Sequence, residues 1–425
     1  MNVWSSMSRR RWVLWGLLAA IFLLVNLYRL SSAVLSDRLM VAFDTSGAGL
    51  GTLHASFFYI YALTQLPAGV LVDRAGPKLT VVAGAIVFNL GAIGFALADS
   101  YFVAFLCRAL IGLGGGVIFV SILRFCVSWF RPEEFGTMNG LTLAMSGLGG
   151  IMAATPLAVA AATVGWRETI IGLGVLGVAM AAVAYLFVED RPEDAGFRSP
   201  DGVEEGETLA LGDVFENLRV VLSERVTWVM SLMMFSSVGV LITLLGLWGV
   251  PYVVQVYDVS VTRASWYTLL GSVGLLVGPP TFGWISDRLG RRIVLIVLGG
   301  VGYVLGFGLL AIVGQPPRAV VAVVYFSSGF LLGAYTLSYA VIKERHATSA
   351  SGVSTSAINA AGFFGAAVFP TAMGYALDVY WTGDVIAGAR IYTEFGYQVS
   401  FGIATAASLF ALVCGLWLYR NDPTA

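Results

Sequence analysis

Gly69-Val70-Leu71-Val72-Asp73-Arg74-Ala75-Gly76-Pro77-Lys78 and Gly283-Trp284-Ile285-Ser286-Asp287-Arg288-Leu289-Gly290-Arg291-Arg292 are two copies of one pattern. Asp73 and Asp287 stand 214 residues apart, and so do Gly76 and Gly290. Pro156 and Pro370, in other parts of the chain, keep the same spacing. A fixed offset across separate elements is the mark of duplicated halves.

What surrounds the repeats is apolar. Of 425 residues, 58% are hydrophobic and 12% charged, about half the charged share of a soluble domain. Mean hydropathy is +0.84. So little polarity cannot cover a water-facing surface of this size, and the balance is that of a membrane protein. Fifty-one glycines fit closely packed membrane helices. About twelve apolar segments of spanning length lie near 12–36, 48–71, 79–98, 101–126, 137–162, 166–188, 226–253, 264–285, 292–314, 318–341, 351–376 and 397–419. Continuous runs of this length exclude a β-barrel, and in lipid they must be helices. The start, Met7-Ser8-Arg9-Arg10-Arg11, leads into a run too long for a signal peptide and without a small-residue cleavage site. The expected fold is an all-α membrane protein of twelve transmembrane helices in two pseudo-symmetric six-helix bundles, 1–188 and 226–425.

With the N-terminus inside, twelve Lys and Arg lie on the cytoplasmic side, among them Arg9, Arg74, Lys78, Arg131, Arg288 and Arg345; five, Arg38, Arg167, Arg263, Arg318 and Arg390, lie outside. This bias places both termini in the cytoplasm of a plasma (inner) membrane. Residues 189–225 form an acidic cytoplasmic linker opening Glu189-Asp190-Arg191-Pro192-Glu193-Asp194. Its end, with Leu211, Val214, Phe215, Leu218, Val221 and Leu222 at helical spacing, predicts an amphipathic helix along the membrane surface.

The two Gly-x-x-x-Asp-Arg-x-Gly-x-Lys/Arg stretches resemble the signature of the major facilitator superfamily, which joins helices two and three and again eight and nine. Both copies fall there. Arg108-Ala109-Leu110-Ile111-Gly112 resembles that family's fourth-helix motif, Trp129-Phe130-Arg131-Pro132-Glu133-Glu134 its following loop, and Trp248-Gly249-Val250-Pro251-Tyr252 a common end of helix seven. Asn26-Leu27-Tyr28-Arg29 is similar to a polar-Arg pair of its organic-anion members. Pro77 departs from the pattern, where a base is common. The resemblance implies rocker-switch alternating access, with Asp73, Arg74, Gly76, Arg108, Arg131, Asp287, Arg288 and Gly290 as conformational gating residues.

An ionisable side chain inside a membrane helix is a functional candidate. Arg29, Arg108 and Arg124 qualify, whereas no Asp or Glu falls deep within the twelve segments. Asn26, Arg29, Ser32 and Ser36 form one polar stripe on the first helix. Facing lipid it would be prohibitive, so it faces the central cavity. The guanidinium fork suits a carboxylate. Arg124, close to a helix end, is expected to reach the cytoplasm. His54, Phe58, Tyr61 and Gln65 share one helix face, Tyr325, Ser328, Tyr335 and Tyr339 another, and Thr355 and Asn359 a third. From these stripes Tyr28, Tyr61, Gln65, Tyr335, Tyr339 and Asn359 join Arg29 and Asn26 as candidate substrate contacts. His54 reads as a histidine near the outer rim, and Trp381, Tyr392 and Tyr397 as an aromatic interface belt.

The function this predicts is transport of a small organic solute, anionic or carboxylate-bearing. A short-peptide or zwitterion carrier would also suit Arg29. A cation exporter would call for an embedded carboxylate, and a transporter-like sensor remains a further reading. The partners are the solute and the lipid bilayer, acting on a functional monomer, with proton or cation coupling left open. A net charge of −1 implies no nucleic acid. Two histidines and no paired deep carboxylates give no catalytic or metal cluster, no Gly-x-x-x-x-Gly-Lys-Ser/Thr loop holds a nucleotide, and Cys107, Cys126 and Cys414 have no metal or redox spacing, so neither enzyme activity nor a cofactor is expected.

Overall fold

The computed structural model describes residues 7–198, 219–345, 348–386 and 389–421. In chain order the elements are α1 (Met7–Leu30, resuming after Ser31 as Ser32–Phe43), α2 (Gly47–Ala75), α3 (Pro77–Leu97), α4 (Tyr101–Gly116 and Ile118–Trp129), α5 (Phe135–Ala153 and Thr155–Thr163) and α6 (Trp166–Phe187). The second half holds α7 (Arg225–Thr243 and Gly249–Tyr257, joined by a π-helical turn Leu244–Trp248), α8 (Val261–Leu289), α9 (Arg292–Val313), α10 (Arg318–Arg345), α11 (Thr348–Val379), a hairpin β1 (Trp381–Ile386) and β2 (Ala389–Tyr392), and α12 (Glu394–Asn421). Among the described residues eleven helices are long and apolar enough to span a membrane; α2, bent by 62° at Pro67, makes twelve. Proline removes one helical hydrogen bond and crowds the preceding turn, which accounts for the bend.

The burial pattern is that of a protein in lipid. Phe102, Leu186, Leu305 and Ile312 are at least two-thirds exposed, while Asn26, His54, Asn89 and Arg108 are sealed inside. Apolar side chains outside and polar ones inside are stable only where the solvent is hydrocarbon.

The duplication reaches down to single backbone groups. Asp44 and Asp258 end α1 and α7 in the left-handed conformation, with φ of +43° and +49°. Ser46 and Ser260 cap α2 and α8, their hydroxyls accepting from Gly49 N–H and Arg263 N–H. Gly76 and Gly290 end α2 and α8 at φ +80° and +65°. Each pair keeps the 214-residue offset. Glycine is needed at the last two because a side chain is strained at such angles.

Within each half, helices cross at glycines. A Cβ on Gly112 (α4) would stand 2.2 Å from the Phe57 carbonyl oxygen of α2, and one on Gly365 (α11) 1.9 Å from that of Phe235 in α7. Between the halves, α2 meets α11 and α5 meets α8. There Ser265 donates to Thr155 at 3.0 Å and Thr52 lies 3.4 Å from Thr371.

Several expectations are corrected. α1 runs on to Phe43, so Asp37 and Arg38 are helical rather than in a loop. α2 and α8 run to Ala75 and Leu289, because the glycines that stop them lie beyond the Asp-Arg pair. Asp73 and Asp287 therefore sit in last turns of helices. The connection between α11 and α12 is a hairpin, paired Trp381 with Tyr392 and Ile386 with Ala389. Tyr392 and Tyr397 are buried and hydrogen-bonded to protein, so neither belongs to an interface belt. Residues 199–218 lie outside the described residues, and with them most of the expected linker helix from Leu211 to Leu222. Residues 219–223 are helical, with Val221 buried in a small cluster with Val353.

Gly365→Val would force the α7–α11 crossing apart and is expected to lower stability by about 2 kcal/mol. Gly172→Val, where a Cβ meets nothing within 4 Å, is expected to leave it unchanged. Thermal unfolding in detergent compares the two, and equal melting temperatures would contradict this packing.

Candidate functional site

Arg29 lies in the last turn before the interruption of α1. It is fourteen residues short of Phe43, about 21 Å along a helix and so near mid-membrane. The interruption is at Ser31, whose hydroxyl donates to the Tyr28 carbonyl at 2.9 Å. Arg29 is 8% exposed. Its Nη2 donates to Ser146 Oγ of α5 at 3.2 Å; Ser146 donates to Asn26 Oδ1 at 2.7 Å; Asn26 Nδ2 donates to the Phe22 carbonyl at 2.8 Å. This chain forms because Gly149 lets α5 close on α1: a Cβ there would come 2.6 Å from Asn26 Cβ. Arg29 Nε is buried without a partner.

The other half closes over this group. Phe363 of α11 lies with its ring centroid 5.8 Å from the Arg29 guanidinium carbon and 4.5 Å from the Tyr61 ring centroid. One turn beyond Tyr61 along α2, Gln65 Oε1 accepts across the halves from Asn359 Nδ2 at 3.1 Å, and Asn359 Oδ1 accepts from Tyr339 of α10 at 2.7 Å. Arg29, Asn26, Tyr61, Gln65, Tyr339 and Asn359 thus fall in one cluster drawn from both halves.

Two expected members do not. The Tyr28 hydroxyl lies 3.3 Å from Asn89 Oδ1 of α3, and its ring packs on Phe88, because position 28 points into the first bundle when position 29 points out of it. Tyr335 is fully buried against Tyr303 of α9, four residues and about 40° from Tyr339 but on the bundle side of α10. Tyr325 donates to the Gly249 carbonyl at 2.7 Å, again inside the second bundle. The single tyrosine face expected on α10 is therefore divided between core and cluster. Ser146 and Phe363 went unread: serine carries no signal in a small-residue run, and phenylalanine is what any membrane helix offers.

His54 is wholly buried rather than at the rim. Arg108 Nη2 lies 3.2 Å from its Nδ1. A guanidinium only donates, so Nδ1 accepts and the imidazole proton sits on Nε2. That nitrogen has no partner and faces Gly246 in the π-helical turn of α7, where a Cβ would come within 3.2 Å. Arg108 also lies over the Phe95 ring at 5.6 Å.

The two Asp-Arg stretches differ between halves. Asp73 pairs with Arg124 Nε at 3.2 Å. Pro77 opens α3, where a missing N–H costs nothing, and Lys78 N–H donates to Asp190 at 2.7 Å. Burial pushes the Asp190 carboxyl above its ordinary range, against the opposing effect of that N–H. Arg74 is exposed. In the second copy Asp287 is exposed and Arg288 lies over Trp284 at 4.2 Å. Between helices four and five, Glu134 takes a bidentate pair from Arg11 at 2.7 and 2.8 Å and the Arg131 N–H at 3.0 Å. The Arg131 side chain is exposed, and the guanidinium that pairs with Glu134 is that of Arg11.

Two six-helix halves enclosing a polar cluster at mid-membrane define a multi-pass membrane transporter for small molecules. The Major Facilitator Superfamily model matches residues 16–370. The chain belongs to that family. Over 386 residues it is 25% identical to the hexuronate transporter of Bacillus subtilis, covering 86% of this chain and 85% of that one. Over 423 residues it is 23% identical to the probable sulfoacetate transporter SauU of Cupriavidus necator, covering 95% and 94%. Its fold matches the inward-facing, unoccupied structure of a bacterial homologue of the human lysosomal transporter Spinster with a TM-score of 0.75, at 17% identity over 98% of this chain and 97% of that one.

Ser146→Ala removes the acceptor of Arg29 and the donor to Asn26 together. It is expected to lower stability by about 1–2 kcal/mol and to leave the guanidinium free to swing. Thermal unfolding without ligand checks this, and an unaltered melting temperature would mean that the chain of bonds is not formed.

Proposed function

We propose that the protein carries a small organic anion, with Arg29 binding its carboxylate, by rocker-switch alternating access. One observation carries the reading: among the described residues Arg29 makes no ion pair, only a bond to a neutral serine and a ring contact, and its Nε is unfilled. A buried guanidinium so poorly matched is completed by a bidentate anion. Asn26 and Ser146 hold it in place. Tyr61, Gln65, Tyr339 and Asn359 offer hydroxyl and amide groups to the polar remainder of the solute. The names of the two relatives, carriers of a hexuronate and a sulfoacetate, support an anion of this size. Tyr28 and Tyr335 are left out of the contacts.

On the same reading Asp73, Arg74, Gly76, Arg108, Asp287, Arg288 and Gly290 act in gating, with Arg11 and Glu134 in place of the Arg131 side chain. The units are 1–188, the linker 189–225 and 226–425. One chain is the functional unit, because both halves of the site come from it. The bias of the basic residues supports both termini lying in the cytoplasm of the plasma (inner) membrane.

Melting of the purified protein against panels of sugar acids, short peptides and organic cations tests the substrate class. A ligand at a hundredfold excess over Kd adds about 2.7 kcal/mol. The expected result is a shift with one carboxylate class, lost in Arg29→Ala and reduced at least tenfold in affinity in Arg29→Lys, which keeps charge but not the fork. Stabilisation by cations, unaltered in Arg29→Ala, would overturn the assignment.

A further inference from the structure

The outer face of the molecule is shut where α2 begins and α11 ends. Asp378, in the last turn of α11, belongs to the second half. Its Oδ1 accepts from Gly47 N–H and its Oδ2 from Ala48 N–H, both at 2.8 Å. These are the free N–H groups that open α2 in the first half, at the positive end of a 29-residue helix. The same carboxylate is held by Arg390 Nη1 at 3.2 Å and by the Tyr392 hydroxyl at 3.4 Å, both from β2.

These two sets of partners differ in what happens when the halves part. Arg390 and Tyr392 lie in the same half as Asp378, only twelve and fourteen residues on, and travel with it. Gly47 and Ala48 do not. Opening the outer side breaks two charge-assisted bonds and leaves the carboxylate paired rather than bare. The contact is also backbone on backbone. A Cβ on Gly374 would stand 2.3 Å from the Gly47 oxygen, and a Cβ on Gly47 2.8 Å from the Tyr392 hydroxyl. No side chain separates the two helices at this point, so the carboxylate reaches the helix end directly.

We propose that Asp378 is the outer latch of the carrier: a carboxylate kept by Arg390 and Tyr392 that caps α2 when the outer side is closed and lets it go when the outer side opens. The assignment does not rest on the identity of the solute or on Arg29.

The test is the rate of disulfide formation across the seal, in membranes, between Thr52→Cys and Thr371→Cys, whose hydroxyls lie 3.4 Å apart in the closed state. Copper phenanthroline is the oxidant. Asp378→Asn keeps the shape but removes the charge and turns an NH2 group toward a donor. It is expected to slow cross-linking about tenfold. Gly47→Ala, acting from the other half, is expected to do the same. Asp384→Asn, at an exposed carboxylate of the hairpin, is the control and is expected to leave the rate unchanged. Should Asp378→Asn fail to accumulate, Gly47→Ala carries the test. A folded variant of either kind that cross-links at the parental rate would overturn the latch, as would equal slowing by Asp384→Asn.

Discussion

A guanidinium near the middle of a bilayer costs about 2.5–3.5 kcal/mol at a helix centre by insertion scales, and more on an isolated helix. Arg29 meets that cost with a serine, a phenylalanine ring and no carboxylate among the described residues. Much of the central architecture follows. α1 is interrupted just beyond it, at Ser31, and Gly149 lets α5 approach closely enough for Ser146 to reach both Arg29 and Asn26. Phe363 covers the remaining face from the opposite half. The cluster leaves Arg29 Nε buried without a partner.

The duplicated halves are alike in frame and unlike in charge. Caps at Ser46 and Ser260, turns at Asp44 and Asp258, and stops at Gly76 and Gly290 repeat with one offset. Even the irregularities correspond: 214 residues on from Ser31 lies Leu245, within the π-helical turn of α7. Such breaks free backbone groups and cluster at functional sites. Yet the residue 214 on from Arg29 is Thr243, whose hydroxyl donates to the Gly239 carbonyl of its own helix. The first half carries the charge, and the second supplies one amide, a hydroxyl and a ring. A solute bridging the two would bind unlike surfaces, which favours one orientation.

The fold was legible because it is written in long-range features: apolar runs of spanning length, a repeat with one offset, and basic residues on one side. The polar stripe of Asn26 and Arg29 was legible for the same reason, since one helix face is a periodic signal. What could not be read lay in contacts between helices. Tyr335 and Tyr339 are a turn apart, and only the packing of α9 against α10 shows that the first faces Tyr303 and the second Asn359. Tyr28 is adjacent to Arg29, and its direction is set by Asn89, sixty-one residues away. Asp37, Asp378 and the hairpin depend on where helices stop, and stops are the weakest part of any such reading.

The central claim is that Arg29 gives this carrier its taste for carboxylates. Uptake into proteoliposomes of a labelled sugar acid, beside the uncharged sugar of the same carbon skeleton, tests it most directly. The account expects net uptake of the acid, little of the neutral sugar, and loss of acid uptake in Arg29→Ala with the protein still folded. Equal uptake of both sugars, or acid uptake that survives in Arg29→Ala, would contradict it.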